Sequence, residues 1–286
     1  MPTGLRSFRD PDCVPRTIRV GMRLDKYRVT SRLGSGGFAT VYGAHDLIEN
    51  RRVALKIPND DLFDDDQLLS DIQREIRITA RLDHPNILPL KDARFINNHL
   101  VMISPLGEET LADRMRRRIA RATAIDLLGQ MLDALSYAHE CRVLHRDIKP
   151  ENFILFEENL LQLTDFGLAR IGVHSVGESA SGTLGYIAPE QAMGKPTYRS
   201  DVFSAGLVMY RLLSGELPEY PFTPPLPGYN KLRRGVSPDL VALIRKAIDP
   251  VPSKRFRDGV AMFNAFQRIR NPLSAGTISQ SSSRAA

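Results

Sequence analysis

Short runs of β-branched and apolar residues, separated by polar turns, mark the chain up to about residue 106, and longer helical periodicities mark it beyond. TVYGAH at 40–45, RVALKI at 52–57 and NHLVMI at 98–103 read as strands. Among them Leu68, Ile72, Ile76, Thr79 and Ala80 recur at three- and four-residue spacing, with Glu75 at the edge of that apolar stripe. A carboxylate there turns inward only if a cation meets it, because an unpaired buried charge is costly. After residue 106, Ile125, Leu128, Leu132, Leu135 and Ala138 share a helical face that leads to a loop around His145. Ser237 followed by Pro238 predicts the N-cap and first residue of a helix carrying Leu240, Leu243, Ile244 and Ala247. The pattern predicts an α+β chain, a small sheet with one main helix followed by a larger helical part.

The ends differ from the middle. Residues 1–22 are polar, basic and interrupted by proline, and read as an arm; residues 271–286 have too few large apolar side chains to offset ordering entropy and are expected to be a disordered tail. The folded domain is expected over 23–270, with lobes of about 23–106 and 107–270.

Composition adds limits. A chain of 286 residues, 42% hydrophobic and 25% charged, is of soluble globular make-up and large enough for one or two cores. A net charge of +6 raises the question of a nucleic-acid partner, but the basic residues are scattered, and none is expected. The densest cluster, Arg114, Arg116, Arg117, Arg118 and Arg121, reads as a solvated helix face. Two cysteines, Cys13 and Cys141, argue against a disulfide framework and fit a reducing compartment. With no apolar leader and no apolar stretch near the ~20 residues that cross a bilayer, no membrane span is expected and a cytoplasmic location is. The sequence does not set the oligomeric state.

Candidate chemistry begins at LGSGGFATVY, residues 33–42, where glycines let the backbone approach phosphates with its N–H groups exposed. No Gly-Lys-Ser/Thr follows, and the segment continues as strand, turn (49–52) and the strand VALKI, a hairpin folded over a ligand. Lys56 sits in the middle of VALKI and needs an anion, for which Glu75 and a nucleotide phosphate are the candidates. HRDIKPEN at 145–152 gathers a carboxylate, a cation and a carboxamide in one loop, and Asp165 follows in TDFGLAR after the strand-like LLQL. Together these make a metal-phosphate constellation.

Over roughly residues 24–268 the chain resembles the eukaryotic-type (Hanks-type) serine/threonine protein kinases. The ordered features are the glycine loop with Val41, VALK, the helix Glu75, HRDIKPEN, DFG, GTLGYIAPE at 182–190, DVFSAG at 201–206 and Arg255. The style of the core resembles bacterial members. The resemblance implies a bilobal fold, with a small antiparallel β-sheet lobe bearing one main helix and a larger helical lobe. It implies transfer of the γ-phosphoryl group of ATP to Ser or Thr hydroxyls of protein substrates, with Mg²⁺ or alternatively Mn²⁺. Asp147 would take the acceptor's proton, Lys149 would neutralise the moving phosphoryl group, and Lys56, paired with Glu75, would contact the α- and β-phosphates. Asn152 and Asp165 would hold the metal. Gly34, Ser35, Gly36 and Gly37 would cover the phosphates, and Leu33, Val41, Ala54 and Leu155 would sandwich the adenine. Asp201 would brace the catalytic loop, and Glu190 and Arg255 would form a structural ion pair.

Three positions depart from the family pattern. Ala39 replaces the third loop glycine, and Phe203 stands where the family has tryptophan. Aligning LVMISPLG at 100–107 puts Met102 at the back of the nucleotide pocket and Pro105 where a backbone N–H meets adenine. Proline has no N–H, so the carbonyl of Ile103 is expected to anchor the adenine. In residues 165–190, Ser179, Ser181 and Thr183 are the candidate phosphorylation sites, with Arg146 and Arg170 as receiving charges. Two rival readings remain, a pseudokinase acting as a nucleotide-binding scaffold and a kinase-fold enzyme acting on a small molecule.

Overall fold

The computed structural model describes residues 17–37, 39–166 and 184–270. The three expected runs are strands, and three further strands join them in an antiparallel six-stranded sheet of order β1-β2-β3-β4-β6-β5. They are β1 (Arg23–Leu24), β2 (Tyr27–Ser35), β3 (Ala39–Asp46), β4 (Arg51–Pro58), β5 (Asp92–Ile96) and β6 (His99–Pro105). The turn between β3 and β4 occupies 47–50, slightly earlier than its sequence suggests. The main helix, α1 (Asp66–Thr79), starts where the Asp65 carboxylate accepts from the N–H groups of Gln67 and Leu68, an N-cap. It turns Leu69, Ile72 and Glu75 inward. Leu69 and Ile72 pack with Leu62, Phe63 and Leu100, while the opposite face of the sheet buries Leu24, Val29, Val53, Leu55 and Ile103. Ile18 and Met22 close over that second cluster.

The larger lobe is built on α3 (Arg121–Glu140) and α5 (Tyr198–Ser214), around one apolar core. Short α2 (Leu111–Arg114) and α4 (Pro189–Ala192) precede them, and α6 (Tyr229–Gly235), α7 (Pro238–Ala247) and α8 (Gly259–Arg270) complete the lobe. Ser237 caps α7 through Leu240 N–H, as its sequence predicts. Gly206 is where α5 meets α7: a Cβ there would stand 2.8 Å from both Ala247 Cβ and Ile248 Cγ2, too close for any side chain. The lobe also carries a three-stranded sheet of order β7-β8-β9, from Glu109–Thr110, Phe153–Leu155 and Leu161–Leu163. The link from β6 passes Gly107, where a Cβ would stand 2.3 Å from Ile154 Cγ2 and 2.7 Å from Leu155 O. The lobes are stitched at the back by Leu88 N–H to Leu163 O and Leu163 N–H to Asn86 O. No helix among the described residues is long and apolar enough to cross a membrane.

Candidate active site

Between the lobes the charged residues of four separate segments meet. Lys56, in β4 opposite Met102, places Nζ 2.7 Å from both Glu75 Oε1 on α1 and Asp165 Oδ1 after β9. Burial disfavours the charge on Lys56, but the two carboxylates outweigh it and raise its pKa. Asp165 is likewise opposed by burial and rescued by Lys56, so its pKa falls. Glu75 is more enclosed; burial outweighs Lys56, its pKa rises, and its Oε2 is buried without a hydrogen-bond partner. Asp165 adopts the left-handed conformation, φ 65°, which Asp tolerates better than most residues.

The loop 145–152 forms the second half. Asn152 donates both Nδ2 hydrogens to Asp147, to its main-chain O at 2.7 Å and to Oδ2 at 2.9 Å. Lys149 Nζ meets the same Oδ2 at 2.7 Å. One carboxylate oxygen is therefore held from two sides, and among the described residues Oδ1 has no such partner. Thr164 N–H donates to Asn152 O, which brings Asp165 alongside.

Beneath lies a support of two imidazoles and one buried carboxylate. Asp201, 1% exposed, accepts from His145 N (2.8 Å) and Arg146 N (2.7 Å). His139 Nδ1 accepts from Gly259 N, so its proton sits on Nε2 and points at Asp201 Oδ2, 3.0 Å away. The same logic fixes His145: Nδ1 accepts from Asp147 N, and Nε2 donates to Thr164 O at 2.8 Å. Burial opposes the Asp201 charge, yet the His139 and backbone donors lower its pKa. A depressed carboxylate stabilises the fold above its unfolded pKa and loses that contribution as pH falls through the folded value. The wild type should therefore lose urea resistance as pH drops below about 4, and Asp201→Asn, less stable at neutral pH, should show a shallower acid fall in the same titration.

Glu190 and Arg255 form the expected ion pair, at 2.7 and 3.0 Å. Arg255 also lies 4.5 Å from the centre of the Phe203 ring, so the residue in the tryptophan's place packs against a buried cation.

The glycine loop closes through Gly36 N–H to Ala39 O. Cβ atoms added at Gly34 and Gly37 would meet nothing within 4 Å, so the bare backbone lies under open space. Val41 and Ala54 are half-buried, Leu155 is buried, and Leu33 is 51% exposed at the cleft mouth. Met102, with Ser104, Lys56, Glu75 and Thr164, lines a cavity of about 50 Å³ behind Asp165.

The carbonyl of Ile103, expected to anchor adenine, accepts Lys91 N–H at 2.8 Å inside the sheet, and its side chain belongs to the core. Alternate residues of a strand direct their main-chain groups to the same side, so an N–H at position 105 would face that side as well. Pro105→Val should therefore leave ATP affinity within about two-fold of wild type, because no hydrogen bond of ~1 kcal/mol is at stake. A several-fold gain in a nucleotide titration would place the adenine on that edge instead.

Sequence reasoning also missed contributors. Ser104 shares the cleft face with Met102, legible only from strand alternation. Asn59 Nδ2 holds the carbonyl of Gly37 at 3.1 Å, and Gln191 Nε2 donates to Arg146 O at 2.6 Å; neither carries a sequence signal of its own. Ser179, Ser181, Thr183 and Arg170 lie outside the described residues.

The sequence matches the protein kinase domain family over residues 27–257. The chain belongs to the protein kinase family. Among relatives of this kinase, PknB, a serine/threonine-protein kinase of Mycolicibacterium smegmatis, is 33% identical over 83% of the chain and 42% of its own length. Human calcium/calmodulin-dependent protein kinase type 1B is 35% identical over 80% of the chain and 71% of its own. The chain spans less than half the length of the bacterial relatives it matches. In fold, it resembles the Mycobacterium tuberculosis PknI kinase domain (TM-score 0.68, 24% identity, 88% of this chain and 99% of that one). It also resembles PpkA-294 in its apo form (TM-score 0.72, 24% identity, 87% and 99%). The fold expected from the sequence is thus the one observed.

Family membership implies ATP and a divalent metal, and the residues present fit both. The glycine loop leaves room for phosphates under exposed amides. Asp165 and the Asn152 carboxamide oxygen are hard oxygen donors, while no group of three potential ligands from His, Cys, Asp and Glu exists among the described residues. Two protein oxygens completed by phosphates and water is how Mg²⁺ is held, in contrast to an all-protein cage.

Proposed function

We propose that this protein is an ATP-dependent serine/threonine protein kinase. The observation that carries the reading is the joined network in which Lys56 links Glu75 to Asp165 while Asn152 and Lys149 hold one oxygen of Asp147. In this reading Lys56 turns its ammonium to the α- and β-phosphates while keeping Glu75, and Asp165 and Asn152 hold Mg²⁺. Bound there, the metal neutralises charge on the phosphate oxygens. Asp147 Oδ1 orients the Ser or Thr hydroxyl and takes its proton. The hydroxyl oxygen then bonds to the γ-phosphorus as the bond to the β–γ bridging oxygen breaks, and ADP leaves. Lys149 moves its charge from Asp147 Oδ2 toward the transferring group. The adenine lies between Val41 and Ala54 above and Leu155 below, its edge toward the peptide groups of Leu106 and Gly107.

The domain is proposed to run over 23–270 and to work in the cytoplasm on Ser/Thr-bearing proteins. The test is transfer of label from ATP to a generic protein acceptor by wild type and by Asp165→Asn. Absence of transfer by wild type, with nucleotide still bound, would make the protein a binding module.

A further inference from the structure

Beside the catalytic loop lies a groove of about 690 Å³, and its rim is cationic. Arg116, Arg117 and Arg118 reach it from the connection between α2 and α3, Arg121 from the start of α3, Arg211 from α5 and Lys231 from α6. Of the arginine cluster expected to be a solvated helix face, Arg116, Arg117 and Arg118 thus sit on a connection between two helices, and residues distant in sequence extend it. Arg116 pairs with Asp113 and Arg117 with Glu109. Among the described residues Arg118, Arg121, Arg211 and Lys231 are in no ion pair, although Arg211 Nη1 donates to Tyr186 OH at 2.6 Å. One carboxylate, Glu151, faces these cations from the lining. Like charges gathered around a concavity repel one another and favour an anion between them.

The position of the groove says which anion. Glu151 is four residues from Asp147, a span of at most about 14 Å even fully extended, and its turn packs against that carboxylate through Asn152. Tyr186, bonded to Arg211, belongs to the segment just before Pro189 and Glu190. The floor is apolar, with Met115, Ile119, Leu212, Leu213 and Val236. Among the described residues the lining contains no aromatic ring on which nucleic-acid bases could stack. An apolar floor under a cationic rim, opening at the catalytic loop, suits an extended peptide with acidic side chains.

We propose that this groove selects protein substrates whose acceptor hydroxyl is flanked by carboxylate or phosphate groups. The proposal rests on the kinase reading for its meaning, but the groove's preference is measurable without catalysis. Peptides with a central serine and Glu, phosphoserine, Ala or Arg flanks would be titrated by fluorescence anisotropy against wild type and Arg118→Glu/Lys231→Glu. Transfer to each would be measured in parallel. Wild type should bind the Glu- or phosphoserine-flanked peptide about ten-fold tighter than the Ala-flanked one, a few exposed ion pairs' worth, and the double variant should lose that preference. The Glu and phosphoserine arms distinguish acidic side chains from a phosphate already installed. Equal binding of all four by wild type, or an unchanged preference in the variant, overturns the proposal. So does displacement of the Glu-flanked peptide by a single-stranded oligonucleotide of equal charge at much lower concentration, which would make the groove a nucleic-acid site. An anionic preference with no transfer to any peptide sustains the groove and sinks the kinase reading.

Discussion

Asp165→Asn should lower phosphoryl transfer by at least about 10³-fold, the scale of removing a preorganised electrostatic group from a reacting centre. In the folded chain the carboxylate is the counter-charge for Lys56 at 2.7 Å, and in the proposed function it is also the anionic oxygen donor to the metal beside Asn152. Burial opposes its charge, but Lys56 outweighs that and lowers its pKa, which favours the ionised form. Asparagine preserves the shape and tolerates the left-handed backbone, φ 65°, so the defect should lie in chemistry. Nucleotide binding without metal should persist, because Lys56 keeps Glu75 at 2.7 Å. Steady-state transfer with wild-type and variant protein, alongside metal-free nucleotide titration, separates the two. Transfer within about ten-fold of wild type would remove Asp165 from the reacting centre altogether.

Arg255→Ala should cost about 3–5 kcal/mol of stability, the penalty of removing one partner from a buried ion pair. The Arg255 side chain is 0% exposed. It donates to both Glu190 oxygens and to the carbonyls of Arg199, Asp249 and Pro250. Truncation leaves Glu190 with Ser200 as its remaining side-chain donor, at 2.7 Å, and leaves a hole beside Phe203. Thermal unfolding should begin on the order of 10 °C lower. Arg255→Lys should recover only part of this, since a single ammonium does not reproduce the planar fork. A variant melting within a degree or two of wild type would mean that Glu190 is satisfied by water.

Both variants probe groups far apart in sequence that the fold joins, and they differ in how far the sequence announces them. Asp147, Asn152 and Asp165 lie in short motifs whose residue types already imply phosphate and metal chemistry. The polarity pattern likewise gives the strands at 40–45, 52–57 and 98–103, the helix α1 and the Ser237 cap of α7, because alternation, helical periodicity and capping are local properties of the chain. The hinge is a different matter. Strand membership of 98–103 is visible in the sequence, but which carbonyl faces the cleft depends on register against β4 and β5, and Ile103 turns out to serve Lys91.

The arginine cluster shows the same division on the surface. Five arginines within eight residues are obvious in the sequence, and their charge alone suggests solvent. Only packing of the α2–α3 connection against α5 and α6 sets Arg211 and Lys231 across from them and Glu151 at the mouth. Local propensity and residue chemistry therefore determined the elements, the lobes and the candidate carboxylates Asp147 and Asp165. Register, the two imidazole tautomers and the cationic groove were decided by tertiary structure, because each depends on contacts between residues that the sequence keeps far apart.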